Sequence, residues 1–273
     1  MTPFGARFVE AVAARGPLCV GIDPHPALLA DWGLPATVEG LKRFSLDAAD
    51  AIGDLAAVVK PQSAFFESYG SAGIAILETV IGRLRAAGAL VLLDVKRGDI
   101  GSTMTAYAAA YLQDGSPLAV DAVTVSPYLG FGTLQPAIDA ARQSDRGVFV
   151  LCRTSNPDSA QVQKAIGADG RSVAQAVVDQ VAALNADVSP LGAFGLVVGA
   201  TVGELDVDIA ALNGPILAPG LGSQGGGPDD LAFTFGDQLA AVLPSSSRQM
   251  LAAGPARSSL RQAVRQQNDQ LRH

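Results

Sequence analysis

The chain has 273 residues, 49 % of them hydrophobic but only 5 % aromatic, and a formal charge of −7. This length suits one large α/β barrel or two smaller domains, with an aliphatic, alanine-rich core. The acidic balance excludes the basic face expected of a nucleic-acid binder, yet a local basic pocket can sit inside an acidic shell.

Two cysteines, Cys19 and Cys152, lie in apolar runs. They fit buried thiols in a reducing cytoplasm better than a disulfide. The two histidines, His25 and His273, lack ligand-spaced partners, so no metal site is expected. No signal-like segment opens the chain and no stretch has the length of a membrane span. A cytoplasmic protein with no membrane partner is expected.

Taken in chain order, buried-strand candidates fall at Leu18–Asp23, Ala57–Gln62, Leu90–Lys96, Ala122–Pro127, Val148–Thr154, Phe194–Thr201, Ile216–Gly220 and Ala240–Ser246. Amphipathic stretches such as Ser68–Ala87, Ser102–Gln113 and Val173–Leu184 separate them. Strand–helix alternation implies a parallel sheet with crossover helices. Eight repeats favour a closed (β/α)8 TIM barrel over an open sheet. No linker or shift in composition divides the chain, so residues 1–273 are expected to form one barrel domain. The long connection Ser155–Ala193 leaves room for an insertion or lid, and Ala256–Arg272 reads as a closing helix with a structural role.

Polar residues gather at the predicted C-terminal ends of strands. Asp23 ends the first, Lys60 the second, and Asp94 and Lys96 the third. Ser126 follows the fourth, Thr154 and Ser155 the fifth, and Arg248 the eighth. A barrel brings these ends together on one face, where such enzymes keep their sites. Only four of the nineteen basic residues are lysines, so Lys60 and Lys96 at strand ends stand out.

The third strand carries the sharpest signal. Leu90-Val91-Leu92-Leu93 is continuously apolar, as in a strand covered on both faces. It runs into Asp94-Val95-Lys96-Arg97-Gly98-Asp99. Alternation puts Asp94 and Lys96 on one side, and Asp99 and Thr103 share a face if a helix starts there. A structural ion-pair network is one reading, weakened by the convergence of other strand ends. A lysine between carboxylates is held as the ammonium, which argues against a Schiff base and for a proton donor. Such a cation stabilises a carbanion as it forms.

The loop Pro219-Gly220-Leu221-Gly222-Ser223-Gln224-Gly225-Gly226-Gly227 follows the seventh strand. Its glycines let backbone N–H groups approach an anion, and a helix beginning after it adds positive potential. Gly220, Gly222 and Gly225 spell GxGxxG, but the next strand lacks the acidic residue a dinucleotide site needs. Phosphate binding is the better reading, with Arg248 able to make bidentate contacts.

Together these residues resemble the orotidine 5′-phosphate decarboxylase family, in its type 2 branch. The resemblance spans nearly the whole chain. It is carried by Asp94, Lys96, Asp99, Ile100 and Thr103, by Val20–His25, Lys60–Glu67, Pro127–Gly130 and Arg153–Pro157, by Ala218–Gly226 and by Ser246–Arg248. It implies decarboxylation of orotidine 5′-phosphate to uridine 5′-phosphate, the last step of de novo uridylate synthesis, without cofactor or metal. Lys96 would protonate C6 of the ring, with Asp94, Asp99 and Lys60 completing the charged array. Asp23 and Lys60 would bind ribose hydroxyls, and Ser155, with Thr154 as its neighbouring alternative, would read the pyrimidine. Gln224 and Gly225 would close over the substrate, and Arg248 would hold its phosphate. The resemblance also implies a homodimer in which Asp99, Ile100 and Thr103 serve the neighbouring subunit's site. Two alternatives stay open: a related magnesium-dependent keto-sugar-phosphate decarboxylase or synthase, against which Lys60 counts, and a silent nucleotide-binding barrel.

Overall fold

The computed structural model describes residues 2–222 and 225–272. Its strands are β1 (Cys19–Ile22), β2 (Val58–Pro61), β3 (Leu90–Arg97), β4 (Ala122–Val125), β5 (Gly147–Arg153), β6 (Phe194–Val198), β7 (Ile216–Pro219) and β8 (Val242–Ser246). They form a closed barrel in sequence order. Every pairing is parallel, and β8 returns to β1 through Cys19↔Ser245 and Val20↔Ser246. This is a (β/α)8 barrel, as the alternating pattern predicts. All eight expected strands are present, several with one to three fewer residues. Ala240 and Ala241, for example, belong to a 3-10 turn ahead of β8.

Alternation along each strand divides the core in two. Cys19, Leu90, Leu92, Phe149, Leu217 and Leu243 fill the barrel. Val20, Val91, Leu93, Val148 and Val150 face outward beneath the helices. Because both faces are covered, the strands read as unbroken apolar runs. The barrel floor is closed by the helix Phe4–Arg15, whose Phe4 ring meets Phe149 edge-on at 6.0 Å. Gly147 makes room for it, since a side chain there would strike the Phe4 ring.

The predicted helical stretches become Gly70–Ala86, Gly101–Leu112 and Val173–Asn185, and the closing helix is Arg257–Leu271. The Ser155–Ala193 connection also holds the short helix Ala160–Gln163 and an antiparallel bridge between Ile166 and Ser172. Among the described residues no helix is long and apolar enough to cross a membrane.

Candidate active site

β3 does not finish as a regular strand. Leu93 pairs with Val123 but Arg97 with Val125, so three β3 residues lie opposite the single Thr124 of β4. The excess is a bulge of the kind that re-aims side chains. Lys96 lies in it with φ +46°, a left-handed conformation that costs a non-glycine residue roughly 1 kcal/mol or more. Simple alternation is therefore not what unites Asp94 with Lys96. The bulge is held by Thr124, a buried residue of β4. Its hydroxyl accepts from the N–H groups of Val95 (3.1 Å) and Lys96 (3.0 Å) and donates to Asp94 Oδ1 (2.8 Å).

Asp94 is the hub. Lys96 Nζ donates to its Oδ1 at 2.6 Å, and Lys60 Nζ, from β2, reaches its Oδ2 at 3.1 Å. Lys60 also donates to Gln62 Oε1 at 3.3 Å. Burial pushes the Asp94 carboxyl up, but the Lys60 and Lys96 ammonium groups outweigh it and bring its pKa down to about 2. Burial pulls Lys60 down, and the facing Asp94 and Asp23 carboxylates more than reverse this, leaving it above the usual lysine range. Within one chain the array is thus lysine–carboxylate–lysine.

The array opens into a cavity of about 340 Å³ at the C-terminal ends of the strands, within the size range of small-molecule sites. Its charged lining is three cations, Lys60, Lys96 and Arg248, against two carboxylates, Asp23 and Asp94. A chain of net charge −7 therefore presents a mildly cationic site. Asp23 Oδ1 is buried without a hydrogen-bond partner among the described residues, an acceptor suited to a hydroxyl group. Ser155 lines the cavity, as does Thr154. The Thr154 hydroxyl already donates to Asn156 and accepts from Gln163.

On the opposite wall, β7 ends in Pro219, Gly220 and Leu221, and β8 leads to Ser247 and Arg248. The left-handed glycines Gly220 (φ +114°) and Gly222 (φ +76°) turn the loop back, so that Leu221 bridges to Gly226. The expected helix follows the loop, and its first turn carries two carboxylates, Asp229 and Asp230. In the helix Pro228–Phe235 the Asp230 carboxylate accepts from Gly227 N at 2.8 Å. No residue of that helix lines the cavity and its first turn is acidic, so anion binding on this wall falls to the loop and to Arg248. Gly225 forms an exposed turn outside the cavity lining, and Gln224 lies outside the described residues.

Three predicted residues stand apart from the cavity of their own chain. The helix begins at Gly101, two residues beyond Asp99, so Asp99 precedes it and accepts from Ile100 N at 2.7 Å. Ile100 is 61 % exposed and Thr103 is exposed in the first turn. None of the three lines the cavity. Ser126 is likewise absent from it, its place on β4 taken by Thr124. His25 caps the helix Pro26–Asp31 by accepting from Ala27 N. Among the described residues no three His, Cys, Asp or Glu side chains cluster as a metal site would require.

A parallel barrel with charged strand ends, a glycine turn after β7 and an arginine after β8 has the architecture of phosphate-binding barrel enzymes. Within that class, the chain belongs to the orotidine 5′-phosphate decarboxylase / HUMPS family, whose model matches residues 16–263. It is 62 % identical over 264 residues to an orotidine 5′-phosphate decarboxylase of Salinispora arenicola, covering 97 % of this chain and 95 % of the other. A Streptomyces coelicolor protein of the same name is 56 % identical over equal shares. Among solved structures, the OMP decarboxylase of Leishmania donovani is 30 % identical, with a TM-score of 0.74 over the full length of both chains.

Proposed function

We propose that the chain is an orotidine 5′-phosphate decarboxylase, producing uridine 5′-phosphate, and that it works as one barrel domain with its site at the C-terminal strand ends. The observation that carries this is the Lys60–Asp94–Lys96 array, set in one cavity with Gly220 and Arg248. The near-full-length relatives named for the same activity support it.

Arg248 and the β7 loop would take the phosphate, Asp23 and Lys60 the ribose hydroxyls, and Ser155 the pyrimidine edge. Binding energy from this remote phosphate would hold the substrate carboxylate near Asp94. The C6–carboxylate bond then breaks, CO2 leaves, and the electron pair stays on C6. Lys96 stabilises that charge as an ammonium and transfers a proton from Nζ to C6, afterwards regaining one from water. No electron-sink cofactor or metal takes part, so the preorganised ammonium must supply much of the barrier reduction.

Asp99, Ile100 and Thr103 would act across a homodimer. Their exclusion from their own cavity supports this, as does the exposed apolar group Ile100, Tyr128 (75 %) and Leu129 (51 %) on neighbouring loops. The test is loss of orotidylate absorbance with purified, chelator-treated protein. Undiminished turnover is expected, and activity that vanishes with the chelator and returns with magnesium would transfer the chain to the metal-dependent branch of its family.

A further inference from the structure

Behind the cavity wall, the segment following β5 folds back on Thr154 and engages each of its polar groups. The Thr154 N–H donates to Gln163 Oε1 at 2.9 Å. Its hydroxyl donates to Asn156 Oδ1 and accepts from Gln163 Nε2, both at 2.7 Å. Its carbonyl accepts from Ser159 Oγ at 3.0 Å. Gln163 thus holds one residue by both backbone and side chain.

Gln163 is itself anchored. Arg153 Nη1 donates to its Oε1 at 3.2 Å, and Arg153 is buried against Asp206, with Nε to Oδ1 at 2.7 Å. Asp206 also takes Lys164 at 2.8 Å. The next residue after Thr154 is treated differently. Ser155 lines the cavity, and no described residue accepts from or donates to its hydroxyl. Its backbone rests on Gly199, where a Cβ would come within 3.2 Å of Ser155 N and Cβ. Gly199 N in turn donates to Arg153 O at 2.8 Å. Ser155 is therefore held from both sides while its hydroxyl is left for a ligand. Asn156, oriented by the Thr154 hydroxyl, lines the same cavity.

We propose that Gln163 is the positioning residue of the base-reading wall: by gripping Thr154 it fixes Ser155 and Asn156 against the imide edge of a pyrimidine. This rests on the nucleotide reading of the cavity. Without the grip the wall can move, and hydrogen bonds to the base lose their preorganised geometry. The phosphate and ribose contacts, on other strands, do not depend on it.

The experiment compares affinities for uridine 5′-phosphate and ribose 5-phosphate, by calorimetry, in the wild type and in Gln163→Leu, which removes both amide hydrogen-bonding groups and keeps an aliphatic side chain. The wild type is expected to prefer uridylate, and Gln163→Leu to lose about tenfold of that preference, the worth of one or two well-placed hydrogen bonds. Its ribose 5-phosphate affinity should stay within about twofold of wild type. An unchanged preference, or equal weakening of both ligands, overturns the proposal. A wild type that gains nothing from the base overturns the nucleotide reading as well, and that failure is visible before any variant is made.

Discussion

Asp94 serves two lysines in different surroundings, and the difference can be measured. Lys60 has 6 % of its side chain exposed and Lys96 has 47 %. Removing Lys60 takes a buried charge from a buried partner, which costs about 3 kcal/mol or more. Removing Lys96 takes away a half-exposed ammonium, a loss of about 1 kcal/mol at most. Urea unfolding should therefore show Lys60→Ala strongly destabilised and Lys96→Ala near wild type, while orotidylate turnover is nearly abolished in Lys96→Ala. Retained turnover there would remove Lys96 from the chemistry. The pH dependence follows from the same contacts. The Asp94 carboxyl is depressed to about 2, so its stabilisation is complete above the ordinary carboxylate range of about 4 and is lost as pH falls toward 2. Lys60 is raised, so its contribution is complete below about 10.4 and is lost only as pH rises beyond its folded value. Asp94→Asn should flatten the acid limb of stability below about pH 4 and start the alkaline limb at lower pH, because Lys60 loses the main carboxylate that raises it; an unchanged acid limb in urea melts would mean that other carboxylates control it. Asp94 and Lys96 were legible in the sequence because charge at the end of an apolar strand is conspicuous. Thr124 was not, because a β-branched residue in Ala122–Val125 reads as ordinary strand filler. Its role depends on a bulge set by pairing with β3. Gln163 lies in a segment without periodicity, and only the folded chain brings it to Thr154.

At the scale of elements, the barrel strands were readable because burial on both faces leaves continuous apolar runs. Their ends were not, because register with the neighbouring strand decides where pairing stops. The floor helix Phe4–Arg15 carries its own amphipathic pattern, but its target, Phe149, lies far along the chain. The closing helix shows the same long-range dependence. Its buried Asn268 accepts from Leu18 N and donates to Arg15 O, both at 3.0 Å, tying the last helix to the turn before β1. Gly16 (φ +88°) sits in that turn, where a side chain would crowd Asn268. Replacing the amide leaves the buried Leu18 N–H unpaired, a penalty of about 2 kcal/mol. Asn268→Ala should thus lower the unfolding free energy by that amount with kcat/KM unchanged, since Asn268 sits by the turn before β1, at the N-terminal end of the strands and away from the cavity. A matching loss of kcat/KM at a temperature where the variant is folded would show that this end of the barrel couples to the site.

At the scale of the molecule, one chain provides a cavity with Lys60, Asp94 and Lys96 but keeps Asp99 outside it, bonded to the Ile100 N–H. A two-fold interface is self-complementary, so loops that leave one site can enter the other symmetrically. The exposed Ile100, Tyr128 and Leu129 give such an interface an apolar centre. Lys96→Ala and Asp99→Ala chains should each be inactive alone and active when mixed. With free exchange about half the dimers are mixed, and each has one site carrying both native residues and one carrying neither, so activity should recover to about a quarter of wild type. Turnover is measured after subunit exchange has been verified with differently tagged chains. Exchange without recovery would confine each site to a single chain and would require Asp99 to leave its bond to Ile100 and turn back toward its own Lys96.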